Sequence, residues 1–184
     1  MIAFADLAGQ SALIGQLQSD FARGRYVHAY LLTGPGGTGK RSAAQLCAMA
    51  ALCRGEKKPC GACGPCRRVL SGTHPDVHTV VPEKGKQIIG VGVMREVLDT
   101  VSVKSFEDGA KVILIPEAER MNAAAQNAAL KLLEEPPAGA VFLLCTTNAM
   151  QLLPTVRSRC AEVICQGQEQ ETDSELRSLA ADYL

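Results

Sequence analysis

The chain contains no tryptophan, and Phe, Trp and Tyr together make up 4% of it. Bases are gripped on aromatic faces, so this scarcity disfavours a module built to hold single strands by stacking. Charge of one sign is also missing. Lys+Arg and Asp+Glu number 19 each, leaving no overall positive field to bind nucleic acid by charge alone. No run approaches the ~20 apolar residues of a membrane span. Met1–Asp6 lacks the basic start and longer apolar stretch of a secretory signal. The expectation is a soluble cytoplasmic protein with no membrane partner. What is plentiful is apolar: 47% of 184 residues are hydrophobic, enough for one good core with an appendage.

The stretch that organises the chain is Gly34-Pro35-Gly36-Gly37-Thr38-Gly39-Lys40-Arg41-Ser42. It follows the apolar Tyr30-Leu31-Leu32 and precedes an Ala-rich helical pattern, the strand, glycine loop and helix context of a phosphate-binding P-loop. The glycines let the backbone turn its N–H groups inward, and the positive end of the next helix attracts anions. Lys40 is placed to reach the β- and γ-phosphates. A glycine-rich turn between a strand and a helix is the plainer alternative, and phosphate binding is the reading adopted. The position after the lysine should carry a Ser or Thr that ligates Mg²⁺, and here it is Arg41. Ser42 comes one place later, which on a helix swings its side chain by about 100°.

Eight cysteines are present, and four of them, Cys53, Cys60, Cys63 and Cys66, fall in one Gly/Pro-rich segment. Two C-x-x-C steps and one more distant cysteine can wrap a tetrahedral Zn²⁺. Disulfides compete with this reading, and the reducing character expected for the chain argues for a structural zinc. Cys47, Cys145, Cys160 and Cys165 lie in apolar patterns and read as ordinary buried residues.

In chain order, Ser11 can cap a first helix carrying Leu13, Ile14, Leu17 and Phe21 and ending near Gly24. Ala29–Thr33 reads as a strand. Ala43, Leu46, Cys47 and Ala50 mark one face of the helix after the P-loop. The cysteine segment reads as an insertion, followed by a strand over Val77–Val81, an exposed loop at Pro82–Lys86, and a helix carrying Val93, Met94, Val97, Leu98 and Val101. Lys111–Ile115 and Val141–Cys145 have the continuous apolar character of strands buried on both faces. The first leads to Pro116 and Glu117, where P-loop ATPases place an Asp for Mg²⁺ and a Glu for the attacking water; Glu117 serves either that role or a solvated turn. Asn122 can cap a helix carrying Ala125, Ala128, Ala129, Leu132 and Leu133, which Glu135-Pro136-Pro137 stops. The second leads to Thr146-Thr147-Asn148, where Thr147 has the position of a γ-phosphate sensor. Leu152–Val156 suggests a short helix, Glu162–Cys165 a last strand, and the polar tail from Gln166, with Leu176, Leu179 and Leu184, a further helix. Alternating strands and helices make an α/β layered domain whose sites cluster at the carboxyl ends of the strands. His28, His74 and His78 read as structural.

Taken together these residues resemble the AAA+ ATPases of bacterial clamp loaders, which open and load the ring-shaped sliding clamp for replication. The resemblance spans nearly the whole chain. It rests on His28-Ala29-Tyr30-Leu31-Leu32, the four-cysteine insertion, Ala129-Leu130-Lys131-Leu132-Leu133-Glu134-Glu135-Pro136-Pro137 and Ser158-Arg159-Cys160, the family's arginine-finger motif. It implies a three-layer P-loop NTPase fold with a mainly parallel five-stranded sheet over residues 1–166, a zinc module inserted at 53–66, and a linker with the start of a lid domain at 167–184.

Within that family Gly72-Thr73-His74-Pro75-Asp76 and Pro82-Glu83-Lys84-Gly85-Lys86 resemble the delta-prime branch, whereas the gamma/tau motor branch usually has an Asp-Ala-Ala-Ser-type segment after the second strand. The resemblance then implies a poor or inactive ATPase, ATP or ADP bound with Mg²⁺ poorly held, and Arg159 reaching into a neighbour's site. Its implied partners are the gamma/tau and delta subunits and, through the complex, the sliding clamp and primer–template DNA. The rival readings are an active gamma/tau motor, a zinc-dependent nucleic-acid module and a small-molecule kinase; the last leaves the cysteines and Ser158-Arg159-Cys160 unexplained.

Overall fold

Two apolar runs, β3 (Lys111–Ile115) and β4 (Ala140–Thr146), lie side by side at the centre of a five-stranded sheet. β1 (Ala29–Thr33), β2 (Val77–Thr79) and β5 (Ala161–Ile164) complete it in the order β2-β3-β4-β1-β5. The computed structural model describes residues 17, 19–21, 23–107 and 109–165. Among the described residues every pairing is parallel, in keeping with the mainly parallel five-stranded sheet expected. Parallel strands need crossovers, and the helices supply them on both faces.

The period of two along each strand sorts the side chains into two cores. Tyr30, Leu32, Val112, Leu143 and Cys145 face α1 (Lys40–Leu52). Leu31, Ile113, Ile115, Phe142 and Leu144 face α3 (Val91–Ser102) and α4 (Ala123–Glu134). The result is three layers, as the family pattern implies. Leu17 and Phe21 belong to the first core, where the Phe21 ring stacks on Tyr26 at 4.6 Å.

Several boundaries differ from the sequence reading. The second strand ends at Thr79 instead of Val81; Val80 N still donates to Leu114 O at 2.8 Å, but Pro82 removes a later donor. α1 is buried nearly all round, through Ala44, Ala48 and Met49 as well as the expected face, because the cysteine segment covers its outer side. That segment contains a helix, α2 (Gly64–Leu70), with Pro65 in its first turn where a missing N–H costs nothing. The expected helix at Leu152–Val156 is instead a 3-10 turn at Ala149–Gln151 and a short α5 at Pro154–Arg157. Asn122 caps α4 as expected, its Oδ1 accepting from Ala125 N at 2.8 Å. Ser11, Leu13, Ile14 and the whole tail from Gln166, including the 167–184 segment, lie outside the described residues. Among the described residues no helix is long and apolar enough to cross a membrane.

Candidate functional site

β1 ends at Thr33, paired with Thr146, and the chain turns at once into the glycine loop. The turn runs against the end of β5: Cys165 N donates to Thr33 O at 2.6 Å. Gly34 adopts φ 147°, and a Cβ there would stand 2.0 Å from Cys165 O. Gly37 and Gly39 have φ of 80° and 74°, the left-handed region where glycine pays no steric cost. Pro35, Gly36 and Gly37 form the exposed tip, while Thr38 is buried and donates through Oγ1 to Pro35 O at 2.9 Å.

Lys40 opens α1 and folds back under this loop. Its Nζ donates to Gly34 O at 2.7 Å, to Pro35 O, and to Thr38 Oγ1 at 3.3 Å. The ammonium is thus nearly buried and satisfied by the loop itself. No side chain caps the start of α1 and no acid occupies its first turn, which leaves the positive helix pole to an incoming anion. Arg41 is exposed and Ser42 half-buried. Behind the loop Cys145 donates to Lys40 O at 3.7 Å, its thiol pushed up to about 12 by burial; Cys47 and Cys165 are buried nearby, and all three are inert thiols. Cys160 is partly buried.

At the same edge of the sheet, Pro116 follows β3 and offers no carboxylate. Glu117 lies on the surface in an ion pair with Arg120, Nε to Oε2 3.0 Å, so it takes the turn role. The carboxylate that does reach this edge is Glu119, which the sequence reading passed over. Its Oε1 accepts from Thr147 N at 3.1 Å and from Thr147 Oγ1 at 2.7 Å. Burial pushes the Glu119 carboxyl up, but the hydrogen bonds from Thr147 and Thr146 outweigh that and hold it below its ordinary value. Because Thr146 pairs with Thr33, the Thr147–Glu119 pair stands beside the root of the glycine loop.

The four cysteines converge. Their Sγ atoms all lie within 4.8 Å of one another, with Cys60–Cys66 and Cys53–Cys63 both at 4.0 Å. Four thiolates at 2.3 Å around a tetrahedral metal would stand ~3.8 Å apart. Backbone donors already point at the sulfurs: Gly55 N and Cys60 N to Cys53 Sγ, and Cys63 N to Cys60 Sγ, each at 3.3 Å. Such N–H groups favour the thiolate, and the bond from Cys63 leads those that lower Cys60 to about 6. The donor set therefore fits a structural metal.

A buried carboxylate ties this lobe to the sheet. Asp76 accepts from Phe106 N at 2.7 Å and Glu107 N at 3.1 Å. Glu107 in turn pairs with Arg68 and, at 3.2 Å, with Arg54, both residues of the cysteine lobe. His74, with its side chain fully buried, accepts at Nδ1 from Asp76 N at 3.1 Å, so its proton resides on Nε2. His28 Nε2 bonds Leu133 O at 3.1 Å, and the structural reading of these two imidazoles stands.

Arg159 follows α5 on the surface. Its guanidinium is engaged within the chain, Nη2 to Glu134 Oε1 at 2.6 Å and Nη1 to Thr155 O at 2.9 Å. The corner that carries it is fixed by Gln126 of α4, whose Oε1 accepts from Leu153 N at 2.7 Å and whose Nε2 donates to Gln151 O at 3.2 Å.

A family model described as DNA polymerase III, delta subunit, matches residues 9–168. A DNA polymerase III subunit delta' from Pseudomonas aeruginosa is 40% identical over 158 residues, 85% of this chain and 47% of that protein. The subunit delta' of Escherichia coli K12 is 40% identical over 147 residues, 79% of this chain and 44% of that protein. A DNA polymerase III subunit tau from Bacillus subtilis is 35% identical over 159 residues, 85% and 28% respectively. The chain spans less than half the length of these curated relatives. Among solved structures, a gamma subunit-related protein of Thermotoga maritima superposes with a TM-score of 0.59 at 24% identity, covering 86% of this chain and 48% of its own. The FIGL-1 AAA domain in complex with ADP gives 0.59 at 19% identity, covering 97% and 60%. These two likenesses concern the fold alone.

Proposed function

The chain belongs to the DNA polymerase III delta subunit family and has the AAA+ fold, and from that premise we propose that it is the nucleotide-binding module of a delta-prime clamp-loader subunit. In this role it binds ADP or ATP, turns over very little, and acts in trans on a gamma/tau neighbour. The carrying observation is an intact loop with broken metal anchors. Gly34, Gly37, Gly39 and Lys40 keep the cradle, whereas Arg41 and Pro116 stand where Mg²⁺ ligands belong and Glu117 is turned to Arg120. Mg²⁺ neutralises the charge that develops in phosphoryl transfer, so its poor retention impairs hydrolysis more than binding. Arg41 supplies positive charge to a phosphate but cannot orient a water.

Arg159 supplies the second half of the role as an arginine finger, an element worth about 10³–10⁵ in rate where it completes a neighbouring site. Thr147 takes the γ-phosphate edge, where Glu119 holds its hydroxyl proton away from the phosphate. Zn²⁺ held by Cys53, Cys60, Cys63 and Cys66 organises a lobe with little core of its own. Gamma/tau and delta subunits are the direct partners, the sliding clamp and primer–template DNA are reached through the complex, and the setting is the cytoplasm.

Native mass spectrometry of the full-length subunit, paired with a phosphate-release assay, tests this reading. The expected result is one zinc, a nucleotide adduct that Lys40→Ala abolishes, and negligible Mg²⁺-dependent turnover. Robust hydrolysis abolished by Lys40→Ala would overturn it.

A further inference from the structure

Glu134 is the last residue of α4, followed by Glu135, so two acids sit at the negative pole of a helix, where acidic side chains oppose the dipole. Helix stability does not explain a carboxylate there. Its partner does: Arg159 reaches across from beyond α5 to Glu134 Oε1, and the Thr155 carbonyl fixes the other arm of the same guanidinium. Both side chains remain substantially exposed, at 35% for Arg159 and 47% for Glu134, so water screens the pair and a stronger anion can displace it.

We infer that Glu134 is a latch for Arg159, parking the finger on its own subunit until the phosphates of a neighbour's nucleotide outcompete the carboxylate. This rests on the finger role proposed above and adds a positioning residue to it. The latched and released states form a two-state equilibrium, and only the released fraction is competent to act in trans. An exposed ion pair has a small bias, so removing the carboxylate should raise the competent fraction by about two- to five-fold and no more. Glu134 touches no reacting atom; it sets how often the guanidinium is free.

The test is ATP hydrolysis by a clamp loader reconstituted from the full-length subunit with the gamma/tau and delta subunits of the same organism, at saturating clamp and primer–template DNA. Glu134→Gln should raise turnover about two- to five-fold at low salt, and the gain should shrink as salt weakens the latch in the unaltered protein. Glu134→Asp should lie between the two. Arg159→Ala should depress turnover, and the double variant should match Arg159→Ala alone. If Arg159→Ala leaves turnover unchanged, the finger and the latch fall together. If Arg159→Ala depresses it but Glu134→Gln is neutral or also lowers it, the finger stands and the latch is wrong.

Discussion

Glu119 Oε1 accepts both the backbone N–H and the hydroxyl of Thr147. The single hydroxyl proton is thereby committed to a carboxylate, and toward any phosphate the side chain presents lone pairs instead of a donor. On the nucleotide reading, the pair makes the γ-phosphate edge unfavourable to a triphosphate. Glu119→Ala frees the hydroxyl and removes a negative charge, so affinity for a non-hydrolysable ATP analogue should rise about two- to ten-fold relative to ADP. Isothermal titration of the full-length subunit measures the ratio, and an unchanged ratio removes Thr147 from the phosphate site.

Gly34 admits no side chain. Gly34→Ala would drive a methyl into the backbone Cys165 O at 2.0 Å, and that oxygen is no flexible side-chain end, so relief requires β5 or the loop to move. The expected loss is at least about 3 kcal/mol of stability, read as a lower urea midpoint, together with loss of nucleotide binding. Gly36→Ala, at a position with nothing within 4 Å, is the matched control and should change stability little.

Cys63→Ser, or prolonged chelation, should remove the zinc proposed for the cysteine cluster. On that reading the metal holds a lobe with little core of its own, so its loss should show as early protease cleavage between residues 53 and 66 while nucleotide binding persists. Cleavage of the untreated protein at the same rate would mean the thiols hold no structural metal.

Acid should weaken the fold through His74. Burial pushes its imidazole below the ordinary value, although Glu107 pulls the other way. The unfolded chain therefore takes up a proton near pH 6.5 before the folded one does, and stability is full above that pH and falls as pH drops below it. The slope from this one group is at most about 1.4 kcal/mol per pH unit. His78 shifts the same way, by burial and then by Lys111, so urea midpoints for the parent and for His74→Gln between pH 7.5 and 5 should converge toward low pH without becoming flat.

The sequence displayed what depends on neighbours in the chain. Lys111–Ile115 announced a central strand because both its faces are apolar, Asn122 announced a helix start, and the spacing of Cys53, Cys60, Cys63 and Cys66 announced their convergence. α2 stayed hidden because seven residues beginning Gly64-Pro65 carry too little periodicity to stand out from a loop. Glu119 with Thr147, Glu134 with Arg159 and Gly34 against Cys165 O were illegible for another reason. Each joins residues that only the strand order brings together, and no local spacing encodes which of several acids arrives.

Asp76 sits just before β2, and its carboxylate holds the backbone of residues 106 and 107, whose glutamate grips the two arginines of the cysteine lobe. Mechanically the lobe is therefore clamped to the outer margin of the sheet. The lobe is also seated on α1, through Cys66 Sγ to Met49 O at 3.8 Å and Gln45 Nε2 to Val69 O at 3.2 Å, so a load applied to it is shared between the β2 margin and the helix that begins at Lys40. A pull on the lobe is therefore transmitted along α1, whose far end carries Lys40.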